Sequence, residues 1–507
     1  MTSIKYSEIL FYICFGLLFF AKGIGLYDGQ GIFKVILVLA WVCLVAKMML
    51  ERYSRSQAVW TMVMLVLGGI TYYISGEKGL LLNFLMAIGM LHVDERRLLQ
   101  IAGYIWTVAF GGRVLVSLLH MNGTVYKVHE KMGLGHFFRW GLGYSHPNVL
   151  HVSYLILAVL VVLILGKRCR IWHLCILFLG NCFIFLFSVS YTGMLIVSLL
   201  LAGRAFLFFR PVLAKWEKIL WMLVVPACAV GSIILPLAVS GSAYTVLNNI
   251  FNTRLSLARQ FLQPDNIHLF GNRLADIITS ELTMDNAYVF ALVTYGVIPF
   301  CLVLGLTIYT THQLLRRNRN VEALVVVVLA ICGLTEPFLY NTSFKNISFL
   351  YMGEALYGTG NGKEKIGPLL KWNGEVPINS KRLEKVRNLI SDVLALTRKK
   401  AAVAAGMALA VTAIACSLTT YPSGYVVRRS NCEDIPKIFR YYGNANGQDD
   451  FEIMEDFQIG DKVEYFGGNI VKIERVRDVI KIFTISFSGA VFLYGIIDES
   501  KKQQRKK

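Results

Sequence analysis

The chain has 507 residues, of which 55% are hydrophobic, and its mean hydropathy is +0.55. Apolar runs of about 20 residues recur along most of it, which leaves too little polar surface for a soluble fold and indicates insertion into a bilayer. The formal net charge is +19. Its Lys and Arg residues lie mainly in short connectors between apolar runs, where they set orientation, so we expect no nucleic-acid partner.

The apolar runs predict an all-α, polytopic transmembrane helical bundle with about twelve core helices, two appended helices and helical extracytoplasmic loops. We expect three regions: a membrane core at 1–357, a basic cytoplasmic linker at 358–400, and an appended two-helix membrane module at 401–507 with a small extracytoplasmic segment. The predicted spans are 8–26, 31–49, 58–75, 79–93, 100–119, 149–166, 171–189, 193–209, 219–239, 286–309, 321–340, 342–357, 401–420 and 481–496.

The connectors predict the orientation in the membrane. The basic ones all fall on one side when the spans alternate, and the positive-inside rule makes this side cytoplasmic, together with both termini. We therefore expect a multi-pass protein of the cell membrane. The other side carries three long connectors, 120–148, 240–285 and 421–480. Function on a scaffold of many helices usually lies in such loops.

Arg113 lies in the fifth predicted span, roughly two turns below the outer surface. Burying a cation at such a depth costs about 2.5–3.5 kcal/mol, so we expect a partner or an aqueous cavity there. The alternative is an arginine whose side chain snorkels to the surface.

The first long loop ends in a turn, Gly141 to Asn148, directly before the sixth span. Pro147 disfavours helix at His146, which keeps the imidazole on a turn at the membrane face, and Asn148 can cap the helix that follows. A cap with a solvated His146 is the alternative to a functional site.

The second long loop contains Arg254 and Arg259, five residues apart and not ideally on one helical face. Two guanidiniums at a membrane surface suit a lipid-linked diphosphate, which they can bind bidentately. They could equally bind phospholipid head groups.

The same loop ends in Asp285-Asn286-Ala287-Tyr288. Asp285 is either the N-cap of the next helix or a carboxylate that takes a proton from a hydroxyl. A further carboxylate, Glu336, lies near the outer end of the eleventh span.

The order of these motifs resembles the Wzy-type polymerases of capsule, exopolysaccharide and O-antigen assembly, over about residues 1–357. The order is His146-Pro147-Asn148, Ser190-Tyr191-Thr192-Gly193, Arg254, Phe270-Gly271, Asp285-Asn286-x-Tyr288, Tyr295-Gly296 and Leu334-Thr335-Glu336-Pro337. Two positions depart from the family: Asn252-Thr253 precedes Arg254 where Ser-Gly is common, and Tyr191 stands where an arginine is common. O-antigen ligases, which share the architecture, usually have histidine at the position of Asp285.

The resemblance implies a glycosyltransferase. It would transfer a growing glycan from polyprenyl diphosphate to a sugar hydroxyl of another lipid-linked repeat unit on the outer face. Asp285 and His146 are then the competing catalytic bases, and the expected substrate-binding residues are Arg113, Asn148, Arg254, Arg259, Asn286, Tyr288 and Glu336. No metal-ligand cluster is visible in the sequence, so we expect a metal-independent reaction without a cofactor.

The expected partners are polyprenyl-diphosphate-linked oligosaccharides and the lipid bilayer, with a flippase and a chain-length regulator as candidate protein partners. Two other functions stay open: an O-antigen-ligase-like glycan transferase, and a flippase of lipid-linked oligosaccharides or another transporter. Transporters usually place broken helices and ionisable groups near the membrane midplane, whereas the polar motifs here gather in long loops on one side.

The tail predicts a separate unit. Val463, Tyr465, Ile470 and Val471 suggest a short hairpin around Gly467-Gly468. The long linker suggests loose attachment, so truncation after Gly360 is expected to leave polymer synthesis intact.

Overall fold

The computed structural model describes residues 3–119, 126–131, 135–251, 253–273, 284–358, 365–368, 370, 372–377, 398–429, 437–442 and 462–504. This part of the chain contains seventeen α-helices. They are α1 (Tyr6–Gly23), α2 (Gly31–Leu50), α3 (Arg55–Ser75), α4 (Gly79–Gly89), α5 (Glu95–Leu119), α6 (Pro147–Leu165), α7 (Ile171–Ser188), α8 (Tyr191–Phe209), α9 (Lys215–Ala238), α10 (Gly241–Ile250), α11 (Arg254–Phe261), α12 (Ala287–Tyr295), α13 (Val297–Arg316), α14 (Asn320–Cys332), α15 (Ser348–Tyr357), α16 (Arg398–Leu418) and α17 (Asn469–Gln504).

Ten helices in the described residues are long and apolar enough to cross a membrane: α1, α2, α3, α5, α6, α7, α8, α9, α13 and α16. Their side chains alternate between a buried face and an apolar face left exposed by the protein, as expected for helices whose outer surface meets lipid. The expected all-α, polytopic helical bundle is confirmed, and the chain is a multi-pass membrane protein.

The ends of the helices lie on two opposite faces of the bundle, which we call the site face and the basic face. The site face holds the ends at Gly23, Leu119, Pro147, Ser188 and Ala238, and the basic face holds the opposite ends. On the basic face Arg319 connects three helices: its Nη2 donates to Glu95 Oε1 at 2.6 Å, and its Nη1 donates to Glu354 Oε1 at 2.6 Å. On the site face the hydroxyl of Tyr144 donates to the carbonyl of Gly23 at 2.5 Å.

Three expected spans are not continuous helices. The span at 286–309 is interrupted at Gly296, whose φ is +90°, because the loop at 268–271 packs there and a Cβ at Gly296 would lie 2.3 Å from the backbone nitrogen of Gly271. The span at 321–340 ends as a helix at Cys332, and the span at 342–357 is helical only from Ser348. An irregular connector, residues 333–347, therefore joins α14 to α15.

Short strands complete the fold. They are β1 (Ser3–Lys5), β2 (Tyr53–Ser54), β3 (Tyr126–Lys131), β4 (Gly135–Trp140), β5 (Lys365–Ile366), β6 (Glu375–Pro377), β7 (Gly424–Arg429), β8 (Lys437–Tyr441) and β9 (Lys462–Phe466). β1 pairs with β6, β2 with β5 and β3 with β4, while β8, β7 and β9 form an antiparallel sheet in that order.

The long loops are only partly helical, which corrects the expectation of helical extracytoplasmic loops. The connector 240–285 contains α10 and α11, but 120–148 contains the β3–β4 hairpin and 421–480 contains the β8-β7-β9 sheet. Aromatic residues such as Phe137, Phe138 and Trp140 of β4 favour strand over helix. The expected hairpin around Gly467-Gly468 is wrong, because β9 pairs with β7 and α17 begins at Asn469 directly after the pair.

The first part of the expected linker contacts the core. β5 and β6 pair with strands that precede α3 and α1, the ring of Trp372 stacks on Tyr6 with centroids 5.2 Å apart, and the backbone nitrogen of Leu370 donates to the carbonyl of Met49 at 2.9 Å. Residues 378–397 of the linker lie outside the described residues.

Candidate functional site

Charged side chains from distant parts of the sequence gather on the site face. Glu336 interacts electrostatically with Arg254, Asp285, Lys345 and Arg139, and His146 interacts with Arg139 and Arg254. We call these six residues the polar cluster. It draws on β4, the turn before α6, the start of α11, the residue two before α12, and the connector 333–347.

Arg139 on β4 is bound to two helix ends. Its Nε donates to the carbonyl of Ser188 at the end of α7 at 2.9 Å, and its Nη2 donates to Asn148 Oδ1 at the start of α6 at 2.6 Å. Burial lowers the pKa of Arg139, and the nearby Arg254 acts in the same direction. Asn148, expected to bind substrate or cap α6, accepts this hydrogen bond from Arg139, and the cap of α6 is His146.

Ser188 is fixed in turn by a buried histidine. His151 Nδ1 lies 3.0 Å from Ser188 Oγ, and its Nε2 lies 2.7 Å from Asn181 Oδ1. The amide oxygen can only accept, so Nε2 carries the proton and Nδ1 accepts from the serine hydroxyl. His151 therefore supports the residue whose carbonyl binds Arg139.

His146 is itself the cap of α6. Its Nδ1 accepts a hydrogen bond from the backbone nitrogen of Asn148 at 3.0 Å, so the ring proton is on Nε2. Burial lowers the pKa of His146 to about 3, and the cations Lys127, Arg139 and Arg254 add to this effect. The imidazole is neutral at physiological pH. It is a weak base but presents an N–H donor.

Arg254 and Asp285 meet as the sequence suggested for a shared site. Arg254 Nη2 lies 3.5 Å from Asp285 Oδ2, and the Asp285 side chain is 39% exposed while that of Arg254 is 12% exposed. In the described part of the chain, the Nε of Arg254 is buried and has no hydrogen-bond partner. A buried guanidinium donor without an acceptor is costly, which is typical of a group that binds a ligand.

Asp285 is not the helix cap that the sequence allowed. Asn286 caps α12: its Oδ1 accepts from the backbone nitrogens of Tyr288 and Val289 at 2.9 and 3.2 Å, and its Nδ2 donates to Ser232 Oγ at 2.9 Å. Tyr288 is fully buried and its hydroxyl donates to the carbonyl of Ala330 at 2.8 Å. Asn286 and Tyr288 thus have structural contacts, and the carboxylate of Asp285 faces Arg254.

Glu336 and Lys345 lie in the connector 333–347, outside the spanning helices. α14 has 13 residues, which gives it a length of roughly 20 Å against the about 30 Å of a hydrocarbon core, so the connector is recessed below the long helix ends. Non-helical backbone at such a depth is tolerated only where it is buried in protein or lines a water-filled cavity. The connector residues 338–340 and 344–347 are buried in protein, which meets this condition. We call the part of the site face between this connector and the ends of the long helices the recess, with the connector as its floor.

Glu336 and Lys345, the two cluster residues in the connector, both have shifted pKa values. Burial raises the pKa of Glu336 to about 7, an effect that Arg254 partly offsets, and its Oε1 is buried without a partner among the described residues. Burial also lowers the pKa of Lys345 to about 7, and its Nζ donates to Ser153 Oγ at 2.9 Å. A carboxyl group that titrates near neutral pH can accept a proton from a substrate hydroxyl.

Backbone strain is concentrated around the same residues. Six non-glycine residues in the described part have a left-handed φ, and four of them adjoin the site. Leu142 lies in the turn that leads to His146, and Val189 follows Ser188. Thr253 and Phe344 precede Arg254 and Lys345. Such conformations cost of order 1–3 kcal/mol each and tend to cluster at functional sites.

Two arginines expected at the site have other partners. Arg113 donates from Nε and Nη2 to the carbonyl of Gly143 at 2.9 and 2.7 Å, which supports the turn before His146. Arg259 donates to the carbonyls of Pro236 and Val239 at 2.6 and 2.7 Å, at the end of α9. Arg254 and Arg259 therefore point to different partners, because residues five apart on a helix lie on different faces.

Two members of the polar cluster were missed from the sequence. Lys345 is 4% exposed, and the only signal was a lysine inside a run that was assigned as an apolar span. Arg139 lies in a loop where it had no recognisable motif. Its role depends on contacts with Ser188 and Asn148. Contacts between residues that are distant along the chain cannot be predicted from the spacing of residues within a motif.

The cluster thus places two arginines, a buried lysine and a histidine N–H around two carboxylates. Asp285 is the more exposed one, at the mouth, and Glu336, at the floor, is partly buried with its Oε1 fully buried. Cations of this kind bind phosphate oxygens, and a partly buried carboxylate can take up a proton. No family model matches the chain, and no similar curated protein or solved structure was found at a significant level.

Proposed function

We propose that the chain polymerises polyprenyl-diphosphate-linked oligosaccharide repeat units, with the site face outward on the cytoplasmic membrane and both termini in the cytoplasm. The proposal is supported by the convergence of residues that carry the sequence resemblance. His146, Asn148, Arg254, Asp285 and Glu336 are distant along the chain, and all of them belong to the polar cluster or hold one of its arginines.

One observation carries most of the proposal. Glu336 Oε1 and Arg254 Nε are both buried, both lack a partner among the described residues, and the two groups interact electrostatically. A native interior satisfies nearly all buried polar atoms. An unpaired donor and an unpaired acceptor in one recess fit a substrate that offers both a phosphate oxygen and a hydroxyl.

The reaction follows from these groups. The acceptor hydroxyl oxygen bonds to the anomeric carbon of the donor glycan, and the bond between that carbon and the phosphate oxygen breaks, with its electron pair leaving on the diphosphate. The hydroxyl proton passes to the Glu336 carboxylate. Arg254 and Arg139 stabilise the negative charge that develops on the diphosphate, and the N–H of His146 can donate to it.

The roles of the two carboxylates differ because their surroundings differ. Glu336 has a pKa near neutrality, and a base works best when its pKa lies near the working pH. The exposed Asp285 lies 3.5 Å from Arg254 and orients the guanidinium at the mouth of the recess. We therefore assign Glu336 as the base, in place of the Asp285 or His146 favoured by the sequence.

Complementation of a deletion strain tests the function. Wild-type protein should restore polymer, whereas Glu336→Gln should leave single lipid-linked repeats in the outer leaflet. The matched control is Asp265→Asn, an exposed acid in the neighbouring loop. Polymer that forms but is not attached to its final acceptor would indicate a ligase, and repeats that stay in the inner leaflet would indicate a flippase. Either result would overturn the proposal.

A further inference from the structure

The C-terminal module contacts the same strand that carries Arg139. Neighbouring residues of β4 point to opposite sides, as in any strand. Arg139 binds the core at Ser188 and Asn148. Phe138 and Trp140 face the other way, and both contact the module.

The contact on the module side is extensive. The ring of Phe138 meets Tyr425 of β7 and Phe466 of β9 edge to face, with centroids 5.4 and 6.2 Å apart. The indole nitrogen of Trp140 donates to Glu474 Oε1 at 3.4 Å. Phe138 is fully buried.

Arg477 of α17 is the charged centre of this contact. It is 1% exposed, and it donates from Nη1 to the carbonyl of Phe138 at 2.8 Å and from Nε to the carbonyl of Leu186 at 2.8 Å. It also pairs with Glu474, one turn earlier on α17. A single guanidinium therefore joins β4 to the last turn of α7, the two elements that also meet at Arg139.

The hairpin needs such support. In the described residues β4 pairs only with β3, and an isolated two-stranded hairpin is marginally stable in water. The core holds one face of β4 through Arg139, and the module covers the other. Without the module, only the contacts on the core side of β4 would hold the Arg139 guanidinium at the end of a weakly stable hairpin.

We infer that Arg477 is a positioning residue: by bonding the carbonyl of Phe138 and the end of α7, it fixes β4 and so places Arg139 in the polar cluster. The module is then part of the catalytic unit and not a dispensable extension. The catalytic part of this inference rests on the proposed function, whereas the docking of the module on β4 does not.

A first experiment tests docking in the full chain. A photoreactive phenylalanine analogue at Tyr425 should crosslink to peptide 135–140 in native membranes. A second measurement reads the position of β4 without using activity. In a cysteine-free background, thiol labelling at Arg139→Cys should become at least about tenfold faster with Arg477→Gln, because local opening controls access to a partly buried site. The matched control is Arg475→Gln, an exposed arginine two residues earlier that lies over the Tyr421 ring.

A double-mutant cycle then tests the path to catalysis. Arg477→Gln should lower polymer synthesis between about tenfold and a hundredfold, as expected for a misplaced catalytic group. Combined with Arg139→Gln, it should add nothing further, since both changes remove the same contribution. Arg477→Lys, which keeps the charge beside Glu474, provides a variant that retains the buried ion pair, with the same direction of effect and a smaller size.

Each outcome decides the inference. A missing crosslink would overturn docking, and unchanged labelling at position 139 would overturn the fixing of β4 by Arg477, whatever the protein does. A crosslink together with wild-type polymer in Arg477→Gln, or with fully additive losses in the double variant, would overturn the positioning role. If the wild-type protein does not restore polymer to the deletion strain, the proposed function fails, and the crosslink and labelling results then decide the structural claim by themselves.

Discussion

Replacing Glu336 by glutamine separates function from stability at the floor of the recess. Glutamine keeps the shape of the side chain but cannot accept the proton. Removal of a general base typically lowers the rate by about 10²–10⁴-fold. We expect Glu336→Gln to lose at least a hundredfold in polymer synthesis, whereas Asp265→Asn should match the wild type.

The same change should not destabilise the protein. A folded-state pKa of about 7 against an ordinary 4.5 means that the charged carboxylate costs the folded protein at most about 3 kcal/mol. The sign follows from linkage: the cost is absent below pH 4.5, grows as the pH rises, and is complete above about pH 7. Glu336→Gln removes this cost, so its thermal stability should equal the wild type at pH 4 and exceed it at pH 8.

The pH dependence of the rate tests the assignment of the base. In the proposed mechanism the active form is the carboxylate, so activity should rise between pH 6 and pH 8 with a midpoint near the Glu336 pKa of about 7. His146, with a pKa of about 3, does not titrate in this range, whereas Lys345, with a pKa of about 7, does. Deprotonation of Lys345 removes a cation from the cluster and lowers activity as the pH rises, so a rise in activity assigns the titration to Glu336. The measurement is the initial rate of polymer formation from purified lipid-linked repeats in proteoliposomes. A flat profile, or a Glu336→Gln variant that is active or less stable than the wild type at pH 8, would refute the reasoning.

Three further outcomes follow from the contacts. Arg254→Lys should insert into the membrane but lose most activity, because a point charge replaces the planar guanidinium, whose Nε has no partner among the described residues. Arg259→Lys should retain activity and lose stability, since Arg259 binds two carbonyls at the end of α9. Equal activity losses in the two variants would contradict this distinction. Asp285→Asn should lower activity through loss of the ion pair with Arg254, without a change in stability. Asn286→Ala removes the cap of α12 and should cost about 1 kcal/mol of stability. Thermal melts and polymer yields of both variants test these two expectations. A cysteine at Ser256 should react with an impermeant reagent in intact cells, and labelling only after permeabilisation would invert the orientation.

The sequence by itself determined the class of protein and suggested much of the candidate site. Apolar runs of about 20 residues and basic connectors predicted a polytopic helical bundle. This prediction is possible because insertion into a bilayer depends on the hydropathy of each segment, which is a local property of the sequence. Motif order brought His146, Arg254, Asp285 and Glu336 into one hypothesis, and all four belong to the polar cluster.

Local patterns were less reliable for exact helix ends and side-chain roles. The cap of α12 is Asn286 and not Asp285, a shift of one residue that leaves the aspartate available to Arg254. Gly296 breaks an apolar run that looked continuous, because a loop packs against it from 25 residues earlier in the chain. Hydropathy cannot show either effect, since both depend on which backbone groups meet in three dimensions.

Only the tertiary structure decided which charges share the site. Arg113 and Arg259 are occupied by backbone carbonyls, while Arg139 and Lys345 join the cluster without any sequence motif. The tail gives the clearest case, because Arg477 lies 339 residues from the carbonyl of Phe138 that it binds. Such a contact stabilises the fold only once both partners are already buried. The contact between Arg477 and Phe138 therefore cannot be predicted from the composition of the chain or the spacing of its residues.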